Sequence, residues 1–136
     1  MDAAEVRAMY QEHILDNYKN PQNHGTLDNP TDERRGYNPL CGDDLTVQMI
    51  IKNNKIEDIK FKGNGCAISI ASTSLLSEFV KGKTVAEVKK LTKEDILELL
   101  EIPISHARIK CALLCLETIH KILFKKEGVA TTEGDK

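Results

Sequence analysis

The feature that most constrains the fold is a pair of alternating segments separated by the dipeptide Asn53-Asn54. On both sides of it, apolar residues recur mostly at alternate positions. These positions are Leu45, Val47, Met49 and Ile51 before the dipeptide, and Ile56, Ile59 and Phe61 after it. A period of two is typical of strands with one buried face, and adjacent asparagines are typical of a tight turn. The sequence therefore predicts a β-hairpin whose apolar face must be covered by other elements.

The covering elements are predicted to be helices. An apolar stripe predicts a first helix over about 3–18, which Asn20-Pro21 ends; its residues are Val6, Met9, Tyr10, His13, Ile14 and Tyr18. Two further long helices are expected over about 66–80 and 105–126. Two short helices between them are opened by the capping boxes Thr84-x-x-Glu87 and Thr92-x-x-Asp95. We expect an ordered loop from residue 20 to 43 and a flexible tail over 129–136.

Together these elements predict a single domain spanning residues 1–136, of the α+β class. Its small antiparallel β-sheet is expected to be covered on one face by helices. A chain of 136 residues can bury a modest core without disulfides or metals. Because aromatic residues make up only 4% of the chain, that core must consist mainly of Ile, Leu, Val and Ala.

Charge and hydropathy exclude several classes of function. The net charge of −2 comes with no basic stripe of the kind that binds nucleic acid, so we expect no nucleic-acid partner. No apolar run approaches the roughly 20 residues that span a bilayer, so we expect no membrane association. The first residues lack the features of a secretion signal, which predicts a cytoplasmic protein. In that reducing compartment, cysteines indicate metal binding or catalysis more than disulfides.

Two cysteines lie beside glycines in settings that favour metal-binding sulfur. Cys41 and Asp43 flank Gly42, which lets the backbone bend so that a sulfur and a carboxylate converge. Cys66 follows Gly65 at the predicted start of a helix, where the helix dipole and free N–H groups favour a thiolate. Both segments therefore supply candidate ligands.

The last helix contributes a third candidate, Cys111, which follows the cations Arg108 and Lys110. We expect Cys111 to be exposed at the start of this helix, with its thiolate favoured. Cys115, one turn further, continues an apolar stripe and is expected in the core. Three sulfurs and the carboxylate of Asp43 would complete a four-ligand site for a soft metal. Since the cysteines are far apart in sequence, buried inert cysteines remain the alternative at this point.

Other polar residues are interpreted as structural. The histidines are expected at the surface or in packing contacts. A series of serines in the predicted helix 66–80 is interpreted as close helix packing or solvent exposure; it consists of Ser69, Ser72, Ser74 and Ser77.

The strings around these cysteines resemble the U-type iron–sulfur scaffold family, which comprises IscU, SufU and the N-terminal domain of NifU. The resemblance spans about residues 8–125. It rests on Asn38-Pro39-Leu40-Cys41-Gly42-Asp43, the segment from Gly65-Cys66 to Ser74, Arg108-x-Lys110-Cys111, Tyr18-Lys19-Asn20-Pro21 and Lys81-Gly82-Lys83-Thr84.

This resemblance implies a scaffold or carrier rather than an enzyme. Such a protein receives sulfur from a cysteine desulfurase, assembles a [2Fe-2S] cluster with iron, and passes it to apo iron–sulfur acceptor proteins. Cys41, Asp43, Cys66 and Cys111 fall on the family's ligand positions. Cys111 is the implied persulfide acceptor, with Lys110 assisting. A homodimer that shields the cluster is left open.

Two departures from the family pattern keep a rival function open. IscU-type members have histidine directly before the last ligand cysteine, whereas this chain has Lys110, as SufU-type members do. SufU-type members, however, have an extra segment before that cysteine, and this chain lacks it. The rival is a zinc-dependent sulfurtransferase of the SufU kind, in which the same four residues hold Zn²⁺ and Cys111 accepts a persulfide. A zinc-stabilised interaction module is a third interpretation.

Overall fold

A computed structural model describes the backbone of residues 3–126, with side-chain positions for residue 4 and residues 11–124. The expected contacts of Val6, Met9 and Tyr10, and the predicted tail at 129–136, lie outside this described part. Helices and strands follow one another along the chain as α1 (Ala3–Lys19), β1 (Asp32–Asn38), β2 (Asp43–Lys52), β3 (Lys55–Asn64), α2 (Ala67–Val80), α3 (Val85–Lys89), α4 (Lys93–Leu100) and α5 (Ile109–Lys126), with a 3-10 turn at His106–Arg108.

The predicted hairpin is confirmed as β2 and β3, which pair antiparallel. Asn53 and Asn54 both adopt positive φ, which is the backbone conformation that a two-residue hairpin turn of the favoured type requires. Val47 pairs with Phe61 and Met49 with Ile59, so the buried faces of the two strands coincide.

The expectation of a loop over residues 20–43 was wrong in its second half, because this segment contains β1 at the edge of a sheet ordered β1-β2-β3. The inward-facing positions of β1 carry no large apolar residue: Gly36 and Asn38 are its buried members. A side chain at Gly36 would collide with Thr118 of α5. α5 packs directly against Gly36, so β1 lacks the alternating apolar side chains by which a strand is normally recognised in a sequence.

The helices cover one face of the sheet and thereby confirm the predicted α+β architecture. α5 packs on β1 and β2, α2 packs beside α5, and α1 packs on α2. The fully buried residues include Leu45, Met49, Phe61, Leu76, Ile119 and Leu123. Cys115 also lies in this core, as expected. None of the described helices is both long and apolar enough to cross a membrane.

Local signals for the helix ends are confirmed. Thr84 and Thr92 cap α3 and α4 through the predicted capping boxes. Gly82 follows α2 with a φ of +87°, as a glycine at this position commonly does. Packing explains Ser72 and Ser74 of α2, since Ser72 donates a hydrogen bond to Ala112 O and Ser74 donates one to Asn17 Oδ1.

Candidate metal and sulfur site

A tight turn between β1 and β2 positions the first candidate ligand. Asn38 and Asp43 are paired across the two strands, and Gly42 N donates a hydrogen bond to Asn38 O at 2.8 Å. Gly42 has a φ of +71°, which non-glycine residues rarely adopt. The turn holds Cys41 at its exposed tip. Because Asp43 begins β2 with its side chain inward, the sulfur is exposed while the carboxylate is buried.

α5 brings a second sulfur to this turn. Cys111, in the first turn of α5, has its Sγ 2.9 Å from Cys41 Sγ. One ligand atom from each of Cys41, Asp43 and Cys111 lies within 4.8 Å of the other two. Two sulfurs and a carboxylate oxygen thus converge within the reach of a single ion.

Cys66 borders this group at the start of α2. It is the N-cap residue of the helix: its Sγ accepts a hydrogen bond from Ser69 N at 3.4 Å. Its own N–H donates to Asp43 Oδ1 at 2.9 Å. Cys66 also interacts with the thiol of Cys111, although it lies outside the tighter group of three. The hydrogen bond to Asp43 therefore fixes the Cys66 segment beside the other candidate ligands.

The carboxylate of Asp43 has the chemistry of an incomplete site. It is 0% exposed, and its Oδ2 has no hydrogen-bond partner among the described residues. A buried carboxylate oxygen without a partner is costly, because it has lost its contacts with water. The donor set of thiols with one free carboxylate oxygen fits a bound metal cation, which would supply the missing partner.

Cys111 differs from the expectation of an exposed thiolate. It is 0% exposed, and burial raises the pKa of this thiol well above its usual value. The hydrogen bond to Cys41 and the nearby side chains of Asp43 and Cys66 raise the pKa of Cys111 further. The expected exposure and thiolate were wrong for the metal-free protein because the β1–β2 turn covers the start of α5. A metal ion that binds here must displace the proton.

The two cations before Cys111 behave differently. Electrostatic and polar interactions with Cys66, and then with Cys111, raise the pKa of the Arg108 guanidinium. Arg108 is thus in a position to offset the charge of deprotonated sulfurs. Lys110 is exposed, and its charge acts on Glu117 along the helix surface.

Two polar residues at the site were not identified from the sequence as functional. Asn38 Nδ2 lies 3.9 Å from Cys111 Sγ and donates a long hydrogen bond to it, while Asn38 Oδ1 accepts one from Leu40 N. Ser69 is 1% exposed, and its Oγ has no partner among the described residues. The position of Asn38 immediately before Pro39, in the segment that carries Cys41, was the one available signal.

Comparison with known proteins agrees with this geometry. Residues 9–131 match the family described as the NifU-like N terminal domain. The scaffold protein IscU of Escherichia coli (strain K12) is 40% identical over 115 residues, covering 81% of this chain and 88% of that protein. The zinc-dependent sulfurtransferase SufU of Bacillus subtilis is 33% identical over 142 residues, covering 92% and 96%.

Solved structures show the same fold. A crystal structure described as an iron–sulfur cluster assembly scaffold protein for the SUF system, from Fervidobacterium islandicum, superimposes with a TM-score of 0.73 at 30% identity, covering 90% of this chain and 99% of that one. The N-terminal NifU-like protein of Brucella abortus gives a TM-score of 0.75 at 20% identity, over 92% and 99%. The chain belongs to the NifU-like N-terminal domain family, with IscU and SufU, the family of iron–sulfur cluster assembly scaffolds.

Proposed function

We propose that this protein is a scaffold on which a [2Fe-2S] cluster is assembled, with Cys41, Asp43, Cys66 and Cys111 as ligands. The observation that carries the proposal is the convergence of Cys41, Asp43 and Cys111 within 4.8 Å, with Cys66 bonded to the same carboxylate. The free Oδ2 of Asp43 supports it, because a buried acceptor without a partner favours a cation.

The ligand set is suited to a cluster that must later leave. Three thiolates and one carboxylate bring four negative charges, which iron and the nearby Arg108 partly offset. Carboxylate oxygen is a harder ligand than thiolate and holds iron of a cluster less firmly. Asp43 is therefore the ligand that an incoming thiolate of an acceptor protein would displace first.

Accessibility indicates how sulfur reaches the buried acceptor Cys111. Cys41 is exposed and its neighbour Leu40 is 78% exposed, whereas Cys111 is 0% exposed. We infer that a cysteine desulfurase delivers its sulfane sulfur to Cys41 first. The Cys111 thiol then loses its proton and attacks the outer sulfur of the Cys41 persulfide, which forms the Cys111 persulfide and releases Cys41 as a thiolate that can take up the proton. This exchange needs no electrons, and the 2.9 Å separation of the two sulfurs supports it.

The later steps require partners that this chain does not provide. Reduction of sulfane sulfur to sulfide needs electrons from a separate reductant, and iron must be supplied. The chain then acts as a carrier in the cytoplasm, passing the cluster to apo acceptor proteins, with no role for nucleic acid or membrane. The exposed tip at Cys41 would be shielded by an acceptor or by a second copy of the chain.

A zinc-dependent sulfurtransferase is the second candidate. It is favoured by Lys110 in front of Cys111 and by the exposed thiol of Cys41, which serves sulfur acceptance without any cluster. The same four residues would hold Zn²⁺, which keeps thiols deprotonated at neutral pH. In this function the site delivers sulfur, and no iron is bound.

Metal and sulfide analysis after purification without oxygen separates the two functions. The scaffold is expected to contain iron and acid-labile sulfide in near-equal amounts, with visible absorption from the cluster. A Cys66→Ser variant serves as the control, because it should lose both together. Stoichiometric zinc without sulfide, even after reconstitution with iron and a desulfurase, would contradict the scaffold function and favour the sulfurtransferase.

A further inference from the structure

The first turn of α2 contains a buried hydroxyl group that the proposed function has not used. Ser69 is 1% exposed, and its Oγ has no hydrogen-bond partner among the described residues. Burial of a hydroxyl group without a partner is destabilising, which makes Ser69 a candidate for a role in the site. The other serines in the series are bonded: Ser72 to Ala112 O, Ser74 to Asn17 Oδ1, and Ser77 to Ser74 O.

Ser69 faces the carboxylate of Asp43 across Gly65. A methyl group placed on Gly65 would lie 3.1 Å from Asp43 Oδ1 and 3.2 Å from Ser69 Oγ. Both oxygen atoms therefore border the same small space, which a glycine leaves free. The second carboxylate oxygen of Asp43, Oδ2, also has no hydrogen-bond partner among the described residues. The unused hydroxyl of Ser69 thus borders the same space as a carboxylate that has one unused oxygen, and both side chains are almost fully buried.

The capping of α2 explains why the hydroxyl of Ser69 is free. In a capping box, the side chain of the third helical residue accepts a hydrogen bond from the N–H of the N-cap residue. Ser69 holds this third position and Cys66 is the N-cap. Here Asp43 Oδ1, which comes from β2, accepts the hydrogen bond of Cys66 N–H instead. The hydroxyl of Ser69 is therefore available for another acceptor.

We propose that Ser69 is a positioning residue, which donates its hydroxyl hydrogen bond to Asp43 Oδ1 when the site binds metal. The inference rests on the proposed function. For this bond, the Ser69 side chain turns so that its Oγ approaches Oδ1 through the space beside Gly65. Oδ1 is then held by two donors, the N–H of Cys66 and the O–H of Ser69, and only Oδ2 is left for the metal. Ser69 thus makes Asp43 a ligand through one oxygen, in a fixed orientation.

The variant Ser69→Ala tests this role with Zn²⁺ and Co²⁺ alone as probes. We expect Zn²⁺ affinity, measured by competition with a chelator, to fall about tenfold, as is typical when a hydrogen-bond partner of a metal ligand is removed. We also expect weaker visible absorption from bound Co²⁺, because a released carboxylate can bind through both oxygens and raise the coordination number above four. The metal-free variant should unfold at the wild-type temperature or higher, since an unpaired buried hydroxyl is gone.

Ser77→Ala is the matched control, because Ser77 is buried in the same helix and hydrogen-bonded away from the site. It should lower the thermal stability of the metal-free protein and leave Zn²⁺ affinity unchanged. If wild type and Ser69→Ala bind Zn²⁺ with equal affinity, or if stability and affinity fall together, the positioning role of Ser69 is overturned. The proposed function of the protein is unaffected by either outcome. A wild-type chain that binds neither metal nor cluster would overturn the proposed function, and this inference with it.

Discussion

The sulfur atoms of Cys41 and Cys111 lie 2.9 Å apart, although 70 positions separate the two residues in the sequence. One of these sulfurs is exposed at the tip of a turn, and the other is buried beneath it. The pair therefore joins the protein surface to the interior of the site. This asymmetry gives the two cysteines different tasks in the proposed uptake of sulfur.

The first prediction concerns the order of sulfur transfer. After reaction with a desulfurase and labelled cysteine, Cys111→Ser should still carry a persulfide on Cys41, because the exposed thiol remains. Cys41→Ser should carry almost none, since Cys111 is buried. Mass spectrometry of alkylated peptides locates the persulfide. Uptake by Cys111 at the wild-type rate in the Cys41→Ser variant would contradict entry at Cys41.

A second prediction separates the two cysteines of α5. Cys111→Ser should abolish cluster retention. It should change the free energy of unfolding little, because Cys111 lies outside the apolar core cluster and serine keeps a hydrogen-bonding group beside Cys41. Cys115 is 1% exposed within the apolar core, so Cys115→Ala should retain the cluster and lose on the order of 1 kcal/mol of stability from packing. Cluster content and urea denaturation measure the two effects. Equal loss of cluster in both variants would make Cys115 a ligand and reopen the assignment of Asp43.

The elements that the sequence predicts well are those with local signals. The hairpin has its alternation and its Asn53-Asn54 turn, and α3 and α4 have their capping boxes. β1 has no such signal, because its buried positions are Gly36 and Asn38. The segment becomes a strand by pairing with β2 and by packing on α5, whose residues lie more than 70 positions away along the chain.

Some properties of the candidate site can likewise be predicted from local sequence, and others cannot. The local strings indicate Cys41, Asp43, Cys66 and Cys111 as candidates, but their long spacings carry no information about which atoms meet. The burial of Cys111 arises from contact between the start of α5 and the β1–β2 turn, two segments that are remote in sequence. The free hydroxyl of Ser69 likewise depends on a carboxylate from another element, so neither property can be derived from local sequence.

Asp43→Ala provides the third prediction. In the proposed function Asp43 is the ligand that an acceptor thiolate displaces first, and three thiolates remain to hold the cluster when alanine replaces it. Cluster transfer to an apo-ferredoxin should therefore slow more than cluster formation does. Asp44→Ala is the matched control, since Asp44 is adjacent but pairs with Arg35 at the surface. If Asp43→Ala transferred the cluster at the wild-type rate, Asp43 would serve only the turn between β1 and β2 and would have no role in transfer.

The fourth prediction concerns the pH dependence of the metal-free protein. Burial raises the pKa of Cys115 to about 12 in the folded state, above the roughly 8.5 of an unfolded cysteine. The unfolded chain therefore loses this proton first. The contribution of the protonated Cys115 thiol to the free energy of unfolding is complete below about pH 8.5. Above that pH it declines by up to about 1.4 kcal/mol per pH unit. Urea denaturation between neutral and alkaline pH, with reductant present, measures the decline.

Cys115→Ala is the comparison that isolates this effect. Lysines and tyrosines also titrate at alkaline pH, but they do so in both proteins, so the difference between the two slopes reports Cys115. The variant should lose less stability than the wild type as the pH rises. Identical slopes would contradict a raised pKa for this buried thiol.

The last prediction links the packing of β1 to the metal site. In Gly36→Ala the new methyl group would collide with Thr118 Oγ1 and crowd Leu114, so β1 must move away from α5. Overpacking of this kind costs about 1–3 kcal/mol, and it should also separate Cys41 from Cys111 and weaken Zn²⁺ binding. Gly82→Ala is a control with positive φ and open space, which should cost stability without weakening Zn²⁺ binding. Adding Thr118→Ala to Gly36→Ala should restore part of both losses. If the single Gly36→Ala variant were destabilised yet bound Zn²⁺ as tightly as the wild type, the contact between β1 and α5 would not position these sulfurs.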